Sequence, residues 1–513
     1  MIRPTPVEFL EARIAPASLV PVISADGKSA TFVDVDGDGF TVTTSKGTFT
    51  ASNFVYEGDA ETGQGYLRRI DVGLASFGKV FQGAKITVTV DQPVGDGYAD
   101  VGHLIATGID LKQAAVDGDL VRIDVGDGNF KTPAVGLLQA AQFGFHTAVE
   151  ALAPNFISQV TGRIKVLDIG NWADASIQVL GGTTEKTGKF GSIGRATIGS
   201  VTGGGETGSG SLRTSGSIGL LVIQGSLQGG TGLESGLIMA EGKINSASVG
   251  GDVTGGAGEV TGMIVARSGF GTVAIGGSIV GGSGEYSGGF HTEGKIKSFT
   301  VGADLKAGTD VMSGSIVAGS VTAMSITGSV FGGPAISGIF VEDVITKLSL
   351  GGTDGTAGAA VIAVEGPDKG GTAIGKITVT GSLSGARVLA GFDKDLNLSN
   401  PNARIGKIAI EGDLIASDIV AGIEDVNGIF GDGDDQIAAD DPKPGYLSSI
   451  ASIIVGGIVE GTEGGTDQHG ILAEKIGSMK VGGIPLPLGM NTADDLPLGT
   501  FGDYRLRDFV VIA

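Results

Sequence analysis

Apolar residues return along this chain in a fixed pattern, about once every 26 residues. Each copy has an apolar residue, four variable residues and a second apolar residue, followed two positions later by Gly, then Ser or Asp, then a third apolar residue, as in 244–253. The first apolar residues of the copies, here called the anchors, are Ile193, Ile218, Ile244, Phe270, Ile296, Val321, Ile345, Ile374, Ile405, Ile450 and Ile476. Leu111 and Ile164 extend the pattern backwards, with Leu138 as a degenerate copy between them. Such repeats are typical of stacked architectures, in which each unit buries its apolar face against its neighbours.

The repeat at 295–320 indicates the shape of one unit. Residues 295–301 predict a first strand, 304–305 open a second and 313–319 form a third, with glycine between them. Glycine suits such corners because they need positive φ angles and close approach between coils. The pattern predicts an all-β fold, a right-handed parallel β-helix (β-solenoid) of roughly 11–14 coils of about 26 residues. A helical repeat is disfavoured because Gly pairs and β-branched residues recur where helices need Ala and Leu.

Departures from this pattern divide the chain into parts. Residues 18–100 alternate apolar and polar positions around Gly and Asp turns, which predicts β-hairpins that cap the solenoid. The solenoid is expected over 101–484, with its longest departure from the period, 411–449, forming an acidic loop insertion. Residues 485–513 predict a C-terminal cap, and 1–17 form a separate N-terminal, sorting-like element.

Composition narrows the class of protein. Glycine accounts for 94 of the 513 residues, yet 41% of the chain is apolar, too much for a disordered glycine-rich linker. Cysteine is absent, which excludes disulfides, thiolate metal sites and cysteine nucleophiles. The net charge of −22 argues against a nucleic-acid partner, since such proteins need clustered Lys and Arg. No apolar run reaches the length of about 18 residues that a transmembrane helix needs, so no transmembrane segment is predicted.

The N-terminal element resembles a known one. Leu10, Glu11 and Arg13 match the LEPR-XLL element, which opens many large surface or exported proteins of planctomycetes and verrucomicrobia. Ala12 replaces its proline, and residues 15–16 replace its leucines. The Gly-rich repeats behind it are similar to β-strand-repeat proteins of the same bacteria. The resemblance implies an extracellular or cell-surface location and no particular activity; the alternative that the residues allow is a capped amphipathic helix.

Three acidic loops carry candidate Ca²⁺ ligands. The first has the Asp-x-Asp-x-Asp-Gly opening of a calcium loop, but Ser45 takes the position where a bidentate Glu is wanted, and the flanks predict strands. The other two offer closely spaced carboxylates in longer loops. The candidate ligands are Asp34, Asp36 and Asp38 in the first loop, Asp393 and Asp395 in the second, and Asp432, Asp434 and Asp435 in the third. The alternative in each loop is a solvated acidic turn.

A charged corner supplies the only catalytic candidates. Glu241, Lys243, Glu293 and Lys295 occupy the same corner two coils apart, with Arg267 in the coil between them. Carboxylates beside a basic residue on one face are what a β-helix polysaccharide lyase or hydrolase would need. The alternative, which we favour, is a solvated ridge of alternating charges, because the repeats carry few aromatic residues for stacking sugars.

Histidine and serine give no further site. His103, His146, His291 and His469 are far apart and lack metal-ligand spacing, and no nucleophile elbow of the type Gly-x-Ser-x-Gly is present. Ca²⁺ is therefore the one cofactor that the sequence leaves open.

The favoured function is a non-enzymatic extracellular or cell-surface structural β-solenoid, adhesin-like, with surface polysaccharide or envelope proteins as partners. The alternatives are a β-helix carbohydrate-active enzyme and a self-assembling envelope layer or fibre subunit. The repeats between 374 and 450 are longer than the others and rich in acidic residues. Because extra length in a solenoid leaves as loops on one face, ligand contact is expected there first.

Overall fold

The apolar anchors form short parallel strands that stack in register along most of the chain. The computed structural model describes residues 17–59, 61–129, 131–144, 156–181, 191–367, 371–439, 446–464, 467–489 and 492–509. Within these residues the chain forms 45 strands, one turn of 3-10 helix (Ala51–Asn53) and one short helix, α1 (Leu74–Phe77). The predicted all-β, repeated-strand, solenoid-like architecture is confirmed at this level. The N-terminal element expected over 1–17 lies, except for Ala17, outside the described residues.

Antiparallel hairpins form the N-terminal part. Its strands are β1 (Ala17–Ser18), β2 (Val22–Ile23), β3 (Ser29–Val33), β4 (Gly39–Thr44), β5 (Phe54–Gly58), β6 (Gly65–Asp71) and β7 (Lys85–Gln92). The strands β2, β3, β4 and β7 pair antiparallel in that order, as do β1, β5 and β6. The ring of Phe32 lies 5.1–5.3 Å from those of Phe40, Phe54 and Tyr56, so aromatic residues fill this part of the core.

Mostly parallel strands follow. The earlier ones are β8 (Ala99–Thr107), β9 (Gln113–Gly126), β10 (Pro133–Phe143), β11 (Ile157–Thr161), β12 (Arg163–Ala173), β13 (Ser176–Leu180), β14 (Ile193–Thr202), β15 (Leu212–Thr214), β16 (Ile218–Ile223), β17 (Leu227–Gln228), β18 (Ile238–Ala240), β19 (Ile244–Val249), β20 (Val253–Thr254), β21 (Met263–Ala266), β22 (Gly269–Ile275) and β23 (Ile279–Val280). The middle ones are β24 (Gly289–Val301), β25 (Leu305–Lys306), β26 (Ile316–Phe331), β27 (Gly338–Val341), β28 (Ile345–Asp354), β29 (Ala360–Val364), β30 (Gly371–Val379), β31 (Leu383–Ser384), β32 (Ala386–Ala390), β33 (Ala403–Ile410), β34 (Leu414–Ile415) and β35 (Asp418–Ala421). The last ones are β36 (Ile423–Glu424), β37 (Gln436–Ile437), β38 (Ser449–Val455), β39 (Val459–Glu460), β40 (His469–Ala473), β41 (Lys475–Ile476), β42 (Met479–Val481), β43 (Ile484–Pro485), β44 (Asp495–Leu498) and β45 (Tyr504–Asp508).

These strands form three parallel ladders. The signature ladder holds the anchors and includes β12, β16, β19, β28 and β38. The second ladder consists largely of two-residue strands such as β17, β20 and β23. The third ladder runs through β13, β15, β18 and β21 and continues through β27, β29, β32, β35, β40 and β45. Parallel pairing already begins with β6 on β8 and β7 on β9.

All eleven anchors are register partners of their neighbours, from Ile193 on Ile218 to Ile450 on Ile476. The prediction that Leu138 is the first apolar residue of its copy is wrong. In that repeat Val135 pairs with Ile164, whereas Leu138 pairs with Leu167. Both positions face the core, so the apolar pattern alone permits a slip of three residues.

One continuous core runs inside the three ladders. In β16 the buried residues are Ile218, Leu221 and Ile223, while the positions between them are half-buried, as expected for a strand with one face inward. Aromatic residues join the core where repeats allow it: the rings of Phe290 and Phe299 meet edge to face at 4.9 Å. Burial of these stacked apolar positions is the main stabilising contribution, at about 25 cal/mol per Å².

A second, smaller core covers the outer face of the third ladder. In β29 and β35 every residue is buried, unlike the alternating pattern of β16. Phe392 and Phe430, from the long loops after β32 and after the β36 strand, pack against Leu389, Val420 and Leu472 there. The long acidic repeats therefore fold back on one face, and they position the site described below.

The corners between the strands use glycine where the repeats approach each other closely. A Cβ on Gly230, Gly256, Gly282 or Gly308 would lie 2.0–2.2 Å from the carbonyl oxygen of the equivalent glycine one repeat earlier. Only glycine fits such a column without moving the backbone.

Antiparallel pairing recurs between β36 and β37 and again at the C-terminal end, where β43 pairs with β42. Strand β44 pairs antiparallel with β45, which in turn lies parallel on β40. The buried Tyr504 hydroxyl donates a hydrogen bond to the carbonyl oxygen of Ser417, so this end is tied to an earlier repeat. No helix within the described residues has the length and apolar character needed to cross a membrane.

Candidate functional site

The charged corner forms an exposed ion ladder. Arg267 Nε lies 2.7 Å from a Glu241 carboxylate oxygen, and its Nη1 lies 3.2 Å from one of Glu293. These three side chains are about half exposed, and Lys243 and Lys295 are exposed as well. The guanidinium group bridges three successive repeats, but both carboxylates are already paired with it in solvent. This geometry supplies neither a buried acid nor a shielded base.

The first acidic loop is more buried than a solvated turn. It joins β3 to β4, and the Asp34 and Asp38 side chains are enclosed whereas Asp36 is exposed. Asp34 Oδ1 accepts hydrogen bonds from the backbone N–H groups of Gly37 and Asp38, at 3.1 and 2.7 Å. The turn therefore organises itself around the Asp34 carboxylate.

A distant segment closes over this loop. The backbone N–H groups of Val94, Gly95 and Gly97 donate to the Asp38 carboxylate, and that of Asp96 donates to Asp36 at 2.8 Å. The segment 93–98 follows β7, which is the antiparallel partner of β4. Carboxylates of the loop thus hold the far end of the hairpin in place.

Negative charge accumulates within the loop. Burial, followed by the neighbouring Asp36 carboxylate, raises the pKa of Asp34 to about 8. Among the ion pairs of the described residues, none gives Asp34, Asp36 or Asp38 a Lys or Arg partner. Within the described part of the chain, these aspartates are also the only group of three or more whose potential metal-ligand atoms all lie within 4.8 Å of one another.

The second acidic loop is a self-contained turn. Asp393 Oδ1 accepts hydrogen bonds from the backbone N–H groups of Asp395 and Asn397, both at 2.9 Å. The Asp395 carboxylate lies 2.9 Å from Lys394 Nζ. Both predicted ligands therefore have protein partners on the surface.

In the third acidic loop the Asp434 carboxylate lies beside that of Asp432, but the described residues do not bring three predicted ligands of this loop together. Asp432 accepts hydrogen bonds from the Asn427 side chain at 2.7 Å and from the Asp434 backbone at 2.9 Å. Asp435 turns inward, where burial raises its pKa to about 7 against the hydrogen bond from Gly431 and the charge of Arg507, 3.8 Å away.

A groove on the third ladder brings together residues that the sequence did not point to. Arg387 on β32 and Asp418 on β35 are register partners, with Nε and Oδ2 3.5 Å apart. His469, at the start of the next strand β40, places Nδ1 3.8 Å from Asp418 Oδ1, and Asp467 Oδ2 lies 3.7 Å from its Nε2. Thr462 joins them in lining a cavity of about 330 Å³.

A second cavity adjoins the first through Arg387. It measures about 360 Å³ and is lined by Phe392, Phe430, Asn397 and Glu424 among others. The guanidinium group of Arg387 lies 5.9 Å from the centre of the Phe430 ring and donates to the Gly428 carbonyl oxygen at 3.1 Å. The two cavities together are called the Arg387 groove here.

The Arg387 groove offers polar recognition next to apolar surface. Within the described residues His469 Nε2 is buried without a hydrogen bond, since its nearest carboxylate oxygen, on Asp467, lies 3.7 Å away. The ring of Tyr504 lies 5.8 Å from that of His469 and supports it from the next strand. A carboxylate, an imidazole, a guanidinium and a threonine hydroxyl in one groove can donate and accept several hydrogen bonds.

The signal for this groove was weak in the sequence. Arg387 and Asp418 occupy the same position in successive repeats, and aligning these repeats by their anchors would have paired them. His469 follows only after the insertion between β35 and β40, so no fixed spacing connects it to the other two.

Comparison with known proteins gives no relative. No protein-family model, no curated protein and no solved structure matches this chain. Its function must therefore be argued from the geometry.

Proposed function

We propose that this protein is a non-enzymatic, extracellular or cell-surface structural protein of the adhesin type, whose stacked strands present one groove to a surface polysaccharide. The observation that carries the proposal is the Arg387 groove. It lies where long loops leave the regular ladder, and it combines apolar side chains, among them the exposed Ile429, with several hydrogen-bonding groups. Saccharides are bound by that combination, because one face of a sugar packs on apolar surface while its hydroxyls need polar partners.

The regular repeats would act as the rigid support. We propose that they form a right-handed parallel β-helix of roughly 11–14 coils of about 26 residues, the usual hand for parallel crossovers. Register pairs continue from β12 through β38 without a break, which supports a stiff body.

The charges of the groove favour a neutral saccharide over a polyanion. Arg387 is accompanied by the carboxylates of Asp418, Asp467 and Glu424 in the lining. The chain as a whole carries a net charge of −22, so an acidic polysaccharide would be repelled at a distance.

Binding of neutral polysaccharides to an immobilised array tests the proposal. We expect the full chain to bind and the Arg387→Ala variant to lose at least tenfold in affinity. Arg213→Ala is the matched control, because Arg213 lies on the same ladder, pairs with Glu234 and is far from the groove. Equal binding by Arg387→Ala and the unmodified chain would refute the assignment of this groove.

An enzymatic alternative uses the same groove. Asp418, His469 and Asp467 favour it, since a carboxylate beside an imidazole is a general acid–base arrangement. Release of reducing or unsaturated sugar that disappears in His469→Ala would establish it. Under the proposed function, saccharide is bound and recovered intact.

Assembly into a fibre or layer is disfavoured by both described ends of the ladders. Antiparallel hairpins cover one end and β44 with β45 covers the other, which leaves few free strand edges for end-to-end pairing. Cell fractionation, with the protein found in the envelope or the medium, tests the proposed location.

A further inference from the structure

The loop joining β3 to β4 has the geometry of a cation site. The ligand atoms of Asp34, Asp36 and Asp38 all lie within 4.8 Å of one another. Two oxygens on opposite sides of a Ca²⁺ ion are separated by about 4.6–5.2 Å, because each lies about 2.3–2.6 Å from the metal. The three carboxylates are therefore already gathered at the spacing that one such ion needs.

One carboxylate oxygen of the loop is buried and has no hydrogen-bond donor among the described residues. Asp34 is only 1% exposed, and its Oδ2 receives no hydrogen bond from the residues that the structure describes. Its other oxygen, Oδ1, is satisfied by two backbone N–H groups of the turn. A buried carboxylate oxygen without a donor is costly unless a cation or a proton compensates it.

The surroundings of the loop are acidic and not basic. Asp96 and Asp100 add negative charge near Asp34 and Asp36. Gly95 is packed against Asp36 so closely that a Cβ there would lie 2.0 Å from a carboxylate oxygen. Because residue 95 is glycine, the segment 93–98 can pack against the Asp36 carboxylate. The segment supplies no positive side chain to balance the charge of that carboxylate.

We propose that Asp34, Asp36 and Asp38 bind one Ca²⁺ ion, which fastens the β3–β4 turn to the segment 93–98. Oxygen-only ligands from a flexible turn suit Ca²⁺ better than Mg²⁺, which demands near-ideal octahedral geometry. The ion neutralises the carboxylates whose other lone pairs hold the backbone of Val94, Gly95 and Gly97. This role is structural and is independent of the Arg387 groove.

Calorimetric titration of the chelator-treated full chain with CaCl₂ tests the site, alongside thermal unfolding with and without Ca²⁺. We expect one binding event and a Ca²⁺-dependent rise in Tm, both lost in Asp36→Asn. Asp36 is exposed, so this variant is expected to fold. Asp395→Asn is the matched control, since Asp395 is an exposed aspartate of another acidic turn, and it should keep both effects.

A second variant separates ligand loss from misfolding. In Asp34→Asn the new amide can donate to Asp36, so the metal-free protein should be at least as stable as the unmodified chain while its response to Ca²⁺ is lost. Absence of any binding by the unmodified chain, or full binding by Asp36→Asn, would overturn the proposal. Binding of MgCl₂ as tight as that of CaCl₂ would overturn the assignment to Ca²⁺; we expect it to be at least tenfold weaker.

Discussion

Gly282 stacks so closely on Gly256 that a Cβ atom on Gly282 would lie 2.1 Å from the Gly256 carbonyl oxygen. The neighbour is backbone, which cannot rotate away as a side chain can. The same contact recurs one repeat on, where a Cβ on Gly308 would lie 2.0 Å from the Gly282 carbonyl oxygen. The high glycine content of this chain thus reflects the distance between stacked corners as well as the turns themselves.

Gly282→Ala should consequently destabilise the protein by about 1–3 kcal/mol, since the added methyl group forces the two repeats apart. The shift of the urea unfolding midpoint measures it. Gly433→Ala is the control, because a Cβ at Gly433 would meet no atom of the described part of the chain within 4 Å. Equal midpoints for the two variants would contradict the account of the corner.

The repeat pattern predicted the signature ladder because every anchor, from Ile193 to Ile476, faces the same core and must be apolar. It could not place Leu138, since two inward positions three residues apart accept the same residue types. The apolar pattern predicted side-chain contacts least well where loops of unequal length determine which residues meet. His469 reaches Asp418 only because an insertion folds away from the ladder between them.

The acidic loops show the same limit. The motif at Asp34 was visible, but its burial depends on the segment 93–98 folding back over the turn. Asp393 and Asp395, with similar spacing, form a surface turn whose hydrogen bond and ion pair come from within the turn itself. Spacing along the chain therefore identified candidate ligands, and the tertiary fold distinguished among them.

Arg267→Ala should change the free energy of unfolding by less than about 1 kcal/mol, because exposed ion pairs contribute little. Arg267 bridges Glu241 and Glu293 at the surface, where salt screens them. Chemical denaturation at low and high ionic strength measures the difference, which should shrink as salt is added. A loss of several kcal/mol would show that the corner is more than a solvated ridge.

Asp435 should make folding depend on pH. Burial raises its folded-state pKa to about 7 from 3.8, so the folded chain holds a proton that the unfolded chain has released between these values. Stability therefore falls as pH rises from about 4 to about 7, by at most about 4 kcal/mol, since a pKa difference of one corresponds to about 1.4 kcal/mol. Below pH 4 both states are protonated and this contribution is constant.

The comparison of Asp435→Asn with the unmodified chain isolates that contribution. The variant carries no titrating group at this position, so its advantage in stability should grow between pH 4 and pH 7. Asp432→Asn is the control from the same loop. The pKa of Asp432 is lowered, first by the hydrogen bond from the Asp434 backbone, so this variant should show no growing advantage in stability between pH 4 and pH 7. A constant difference between Asp435→Asn and the unmodified chain across this range would contradict the prediction.

Removal of the last hairpin, β44 and β45, should expose a strand edge and promote association between chains. Strand β45 pairs with β40, and a chain ending at residue 489 would leave that edge of β40 without its partner. Because unpaired strand edges template association, the shortened chain should form concentration-dependent oligomers in sedimentation analysis to a greater extent than the full chain. Tyr504→Phe is the matched control: it keeps the hairpin and loses only the hydrogen bond to Ser417, so it should cost about 1 kcal/mol in stability without added association. If the full chain itself assembled into filaments as concentration rose, the hairpin would not be a cap and the fibre hypothesis would replace the adhesin-like one.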